Sequence, residues 1–199
     1  SEMCIRDRST LTRQTLIFID PPQSSPDAII RYMSSALSEC GLITNKDAFI
    51  DSVLRRENEG PTALGEELAV PHGKCDSVVQ ASFCVALFPE PILWPGLEGP
   101  EPVRLVFLLA IPPNEAGTTH MQLLTQLTSS LVEDEMRNAM LNATSAEEVL
   151  ALLSTGTTPA QEVPENRVKS SYLVPLILGL VASAAFINAG IHWMQSLSS

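Results

Sequence analysis

The stretch Val103–Ile111, VRLVFLLAI, is almost continuously apolar and holds a single charge, Arg104. A run of this kind, apolar on both of its alternating faces, suits a central strand covered on both sides, as in an α/β sheet. Around it the spacing of apolar residues turns helical in four places. Ser24 and Ser25 ahead of Pro26 start a helix with Ala28, Ile29, Met33, Ala36 and Leu37 on one face, and Gly41 ends it. A second begins near Asn45, with Phe49, Ile50, Val53 and Leu54 inward, and closes at Gly60 and Pro61. A third opens at Thr118-Thr119-His120 and carries Met121, Leu123, Leu124, Leu127 and Leu131. The fourth follows Thr144-Ser145, with Glu147 and Glu148 in its first turn complementing the positive helix end. Val78 to Phe88 is a further strand candidate, and Leu68–Val70 a short one. The proline-rich stretch Pro89 to Pro102 reads as a loop or an edge hairpin, with Trp94 packing back on the body. The fold expected is therefore α/β, a mixed and mainly parallel sheet sandwiched between helices, plus a C-terminal apolar helix.

A chain of 199 residues holds one core-bearing domain with appendages. Its 12 basic residues face 23 acidic ones, for a net charge of -11. Nucleic acid, whose binding needs clustered Lys and Arg, is excluded on that ground, and a basic protein partner is favoured. Cys4, Cys40, Cys75 and Cys84 form no CxxC pair, which argues against a zinc ribbon or a disulfide framework and fits a reducing cytoplasm. The opening SEMCIRDR lacks the pattern of a signal peptide and resembles translated adapter sequence, so residues 1–8 are read as a non-native leader. The domain proper spans 9–155, followed by a linker at 156–170 and an apolar tail at 171–199. Tyr172 to Met194 carries no charge and is long enough to cross a bilayer core as a helix, the alternatives being a buried or partner-docked helix or a non-native end; Arg167 and Lys169 ahead of a span would leave the domain on the cytoplasmic side.

Two histidines stand out. In Glu67–Lys74, ELAVPHGK, the short apolar run ends at Pro71, His72 follows, and Gly73 frees a turn. Strand ends of open α/β sheets are where ligands collect, and imidazole suits phosphoryl or proton transfer because its pKa lies near neutrality. The same spacing also accommodates an ordinary turn histidine. His120 lies in a first helical turn, where free N–H groups attract anions, yet shares a face with Leu124, Leu127 and Leu131 and fits the core edge equally well. His72-x-x-Cys75 supplies only two of the three or more ligands a metal needs. Without a Walker loop or a G-x-G-x-x-G, no nucleotide cofactor is indicated.

Arg56–Lys74, RENEGPTALGEELAVPHGK, resembles the signature of the fructose/mannitol-type (type 2) enzyme IIA domain of the bacterial sugar phosphotransferase system, approximately R-E, then S-T-G-I-G, then I-A-I-P-H-G. The likeness extends over residues 16–154 through SPDAII, VRLVFLLAIP and HMQLLTQLTSSL. It implies that His72 accepts a phosphoryl group from HPr and passes it to a IIB domain serving a IIC permease. It further implies that His120 is a second site histidine, that Arg56 pairs with phosphoryl charge, and that Thr62 donates a hydroxyl hydrogen bond to it. No metal or cofactor is implied. The alternative is a regulatory module of the same fold, whose phosphorylation state controls a partner. Pro61 and Ala63 depart from the signature's serine and glycine, and Glu67 is expected to point away from His72, because a carboxylate there would repel a phosphoryl group.

Overall fold

The computed structural model describes residues 12–113, 126–131 and 133–155, all within a unit spanning Ser1–Thr158. In chain order its elements are β1 (Ile17–Ile19), α1 (Pro26–Glu39), α2 (Lys46–Glu59), β2 (Leu68–Ala69), β3 (His72–Lys74), β4 (Ser82–Pro95) and β5 (Pro100–Ile111), then α3 (Asp134–Leu141) and α4 (Ala146–Thr155). A 3-10 turn precedes β1, and residues 126–131 are helical.

The run VRLVFLLAI forms most of β5, the middle of the sheet. β4 pairs with it antiparallel on one side, β2 and β3 pair with it parallel on the other, and β1 lies parallel along β4. Three of these four pairings are parallel, so the sheet is mixed and mainly parallel, its antiparallel contact being the long β4–β5 hairpin. Alternation sends Val106, Leu108 and Ala110, with Cys84 and Ala86 of β4, into one core beneath Ile29, Ile30, Met33, Phe49 and Val53 of α1 and α2. The other parity sends Leu105, Phe107 and Leu109, with Phe83 and Val85, into a second core closed by Leu127, Leu131, Met140, Val149 and Leu153. Each full burial of a side chain such as Phe107 contributes roughly 1.5–3 kcal/mol, so both faces of β5 stabilise the sandwich.

Local chemistry sets the helix ends. Ser25 Oγ accepts from Ala28 N–H and Asn45 Oδ1 from Ala48 N–H, while Gly41 takes the left-handed backbone (φ 71°) that stops α1. At α4, Ser145 Oγ accepts from Glu148 N–H and the Glu148 carboxylate in turn accepts from Thr144.

Several expectations need correction. Of the two readings of Pro89 to Pro102, the loop is set aside and the hairpin holds: a register shift between Leu87 and Ile92 accommodates Pro89 and Pro91, where a missing N–H costs no ladder bond, and the chain reverses at Gly96–Gly99. Trp94 is fully buried, as its packing role requires. Helix α3 has no counterpart in the sequence pattern, and the strand placed at Val78 begins only at Ser82. The leader 1–8, the linker 156–170, the apolar tail 171–199 and the start of the third helix lie outside the described residues. Among the described residues, no helix is long and apolar enough to cross a membrane.

Candidate active site

β2 and β3 follow one another along the same edge of β5: Leu68 and Ala69 stand opposite Leu105 and Val106, then His72, Gly73 and Lys74 opposite Leu109, Ala110 and Ile111. Val70 and Pro71 form the break, and Pro71 O accepts from Leu109 N–H (2.9 Å). His72 thus stands at a strand end, as the first residue of β3, but is buried there. Gly73, the second residue of β3, is no turn residue. A Cβ on Gly73 would stand 2.7 Å from Val53 Cγ2 and 2.8 Å from Phe49 Cε2, so glycine here lets α2 press against the strand. Because side chains alternate, His72 faces away from α2, toward the face of Leu109.

The imidazole is 6% exposed, and its Nδ1 lies 3.1 Å from Val70 O. Burial pushes its pKa down to about 4; the Val70 carbonyl opposes this, the Arg56 charge adds to it, and Glu59 opposes it more weakly. His72 is therefore neutral at physiological pH. Since a carbonyl only accepts, Nδ1 carries the proton and Nε2 keeps its lone pair.

Arg56, in the last turn of α2, donates from Nη1 to Gly60 O (2.9 Å) and is near enough for its charge to act on His72. Thr62 is buried at 3% exposure. Its hydroxyl donates to Glu57 Oε2 (2.6 Å), and its N–H to Glu57 Oε1 (3.2 Å), which also accepts from Trp94 Nε1 (2.8 Å). The hydroxyl hydrogen assigned by resemblance to a phosphoryl group is thus engaged by a carboxylate. Glu57 is the residue that sequence reasoning left without a role; its one signal was its place beside Arg56 in the R-E pair. His120 lies outside the described residues.

Glu66 and Glu67, with Gly65, all take positive φ. Glu66 pairs with Arg137 (3.4 Å) and Glu67 with Arg104 (3.9 Å), and the carboxylate whose charge reaches His72 is that of Glu59. On β4, Phe88, Ile92 and Trp94 are buried, and Leu93 is exposed.

Residues 10–156 match the family model described as phosphoenolpyruvate-dependent sugar phosphotransferase system, EIIA 2. The chain belongs to this family. It is a phosphoryl-carrier component of the phosphotransferase system, as the ordered sequence motifs imply. Over 154 residues it is 48% identical to the PTS system 2-O-alpha-mannosyl-D-glycerate-specific EIIABC component of Escherichia coli, a match covering 76% of this chain and 23% of the length of that protein. Its EIIA fold resembles that of the nitrogen regulatory protein IIA-Ntr from Neisseria meningitidis (27% identity, TM-score 0.64, 72% of this chain and 97% of that one). It also resembles enzyme IIAMtl of Escherichia coli in its complex with phosphorylated enzyme IIBMtl (28% identity, TM-score 0.60, 71% and 95%).

Proposed function

We propose that His72 of this EIIA domain is the phosphoryl acceptor, taking the group from phospho-HPr through Nε2 and passing it to a IIB partner for carbohydrate uptake. The observation that carries this reading is the neutral, buried imidazole whose Nδ1–H is held by the Val70 carbonyl. In the step, the Nε2 lone pair attacks phosphorus, the P–N bond of the donor breaks, and its electron pair returns to the donor imidazole. The positive charge that develops on the His72 ring rests on Nδ1–H against the Val70 oxygen. In transfer onward, the acceptor group of IIB attacks the phosphorus, the P–Nε2 bond breaks, and its electron pair returns to the His72 ring.

Phosphoryl transfer of this kind needs mostly positioning and charge compensation, for which this chain's own side chains suffice. Arg56 supplies the cation, a forked donor for phosphoryl oxygens. His120 helps to hold the active residue or the phosphoryl group, as the family motif implies. Thr62 contributes through its place beside the site, since its hydroxyl hydrogen is held by Glu57. The 48% identity to a mannosylglycerate-specific component supports a carbohydrate of that class as the cargo of the system it serves.

Incubation with phosphoenolpyruvate, enzyme I and HPr tests the assignment. Acid-labile label on the wild-type protein and none on His72→Gln is the expected result; label persisting in that variant rejects His72. The likeness to IIA-Ntr favours one second reading, a regulator that keeps its phosphoryl group and acts by binding. Adding a IIB partner separates the two, because a relay hands the label on and a regulator retains it.

A further inference from the structure

The Glu57 carboxylate ends a continuous chain of hydrogen bonds that leads to the reacting imidazole. Both of its oxygens are occupied by donors from buried residues: Thr62 N–H (3.2 Å), Thr62 Oγ1–H (2.6 Å) and Trp94 Nε1–H (2.8 Å). The Thr62 carbonyl accepts from Val70 N–H (3.0 Å), and the Val70 carbonyl accepts from His72 Nδ1 (3.1 Å). A bond from Leu64 N–H to Leu68 O (2.9 Å) and the Ala63–Ala69 bridge run alongside, so 62–64 lies as a short ribbon against 68–70. A neutral imidazole places its proton on either nitrogen, and the choice follows from which one finds an acceptor. Here the acceptor is a backbone carbonyl whose position depends on Thr62, and Thr62 is fixed at both its N–H and its hydroxyl by Glu57.

We propose that Glu57 is a positioning residue for phosphoryl transfer, acting through Thr62 and Val70 to hold His72 in the Nδ1–H tautomer that leaves Nε2 free to attack. Glu57 touches neither imidazole nor phosphoryl group. Its work is done by setting the Val70 oxygen in line with Nδ1, and the buried Trp94 indole shares the carboxylate without lying on the path to His72. This distinguishes tautomer control from simple filling of the space beneath the hairpin. The inference rests on His72 being the acceptor, as proposed above.

The test uses the full chain labelled with 15N-histidine, the His72 signals being assigned by their loss in His72→Gln, and reads the ring nitrogens by NMR together with the rate of labelling from phospho-HPr. In the wild type, Nδ1 should appear protonated and Nε2 bare. In Glu57→Gln and in Thr62→Val, a share of the Nε2–H form should appear and labelling should slow by roughly fivefold, about what one neutral hydrogen bond is worth. Thr62→Ser, which keeps the hydroxyl, should restore both, and Trp94→Phe should lower the melting temperature while leaving the tautomer as in the wild type. If Glu57→Gln does not fold, Thr62→Val decides. Label on the wild type with an unmoved tautomer in the folded variants overturns the role of Glu57 alone, as does a Trp94→Phe tautomer shift equal to that of Glu57→Gln. A wild type that takes no label on His72 fails the functional reading instead.

Discussion

Toward α2, the strand His72–Lys74 offers only the hydrogen of Gly73, against which Val53 and Phe49 close tightly; away from α2, the same strand offers the imidazole of His72. At Gly73 the first face is all packing. The second is held by one hydrogen bond to Val70 and by burial that strips the ring of its charge. A three-residue edge strand has few ladder bonds of its own, so the precision of the face that carries His72 is borrowed from the packed one. Ser52 reinforces this from α2, its hydroxyl accepting from Lys74 N–H and donating to Lys74 O (both 3.1 Å).

The comparison breaks most visibly in acid. Folded His72 titrates at about 4 against 6.5 for the free side chain, so between those values the unfolded chain takes a proton that the folded chain refuses. Stability should therefore fall as pH drops from above 6.5 to below 4, by about 3 kcal/mol in all. Urea denaturation across that window reads the slope, and His72→Gln should lack it; an equal slope in the variant would place the acid sensitivity elsewhere.

The packed face gives the next effect. Gly73→Ala inserts a Cβ into the contact with Val53 and Phe49, and overpacking of this kind costs roughly 1–3 kcal/mol. Pairing it with Val53→Ala should recover part of the loss, measured as a positive coupling in a double-variant cycle. Strict additivity would mean that α2 does not bear on the strand at Gly73. At the proposed site, Arg56→Ala should slow labelling by about tenfold, the worth of a hydrogen bond to a charged group, with Arg56→Lys between it and the wild type. Equal rates for the lysine and alanine variants would remove the case for a forked contact.

Much of this frame was legible in the sequence where the signal is local. VRLVFLLAI announced a strand buried on both faces, and the caps at Ser25 and Asn45 bounded α1 and α2 closely. β3 was not legible, because a strand of three residues after a proline owes its existence to a partner, Leu109–Ile111, far along the chain. Gly73 was misread for the same reason: the need for its missing side chain comes from Phe49 and Val53, which local turn chemistry cannot register. The prolines at 89 and 91 left the loop and the hairpin both open, since the strand tolerates them only at its register shift. At the site, the ordered motifs pointed to His72, Arg56 and Thr62, while the contacts that engage Thr62 join α2, a loop and the β4 arm, and no spacing along the chain announces such a meeting.

The central claim is that His72 attacks through Nε2 while Val70 holds Nδ1–H. Phosphorylated, 15N-histidine-labelled protein examined for coupling between phosphorus and the ring nitrogens tests it directly. The account predicts coupling to Nε2 of His72, lost in His72→Gln; coupling to Nδ1, or to no nitrogen of His72, would contradict it.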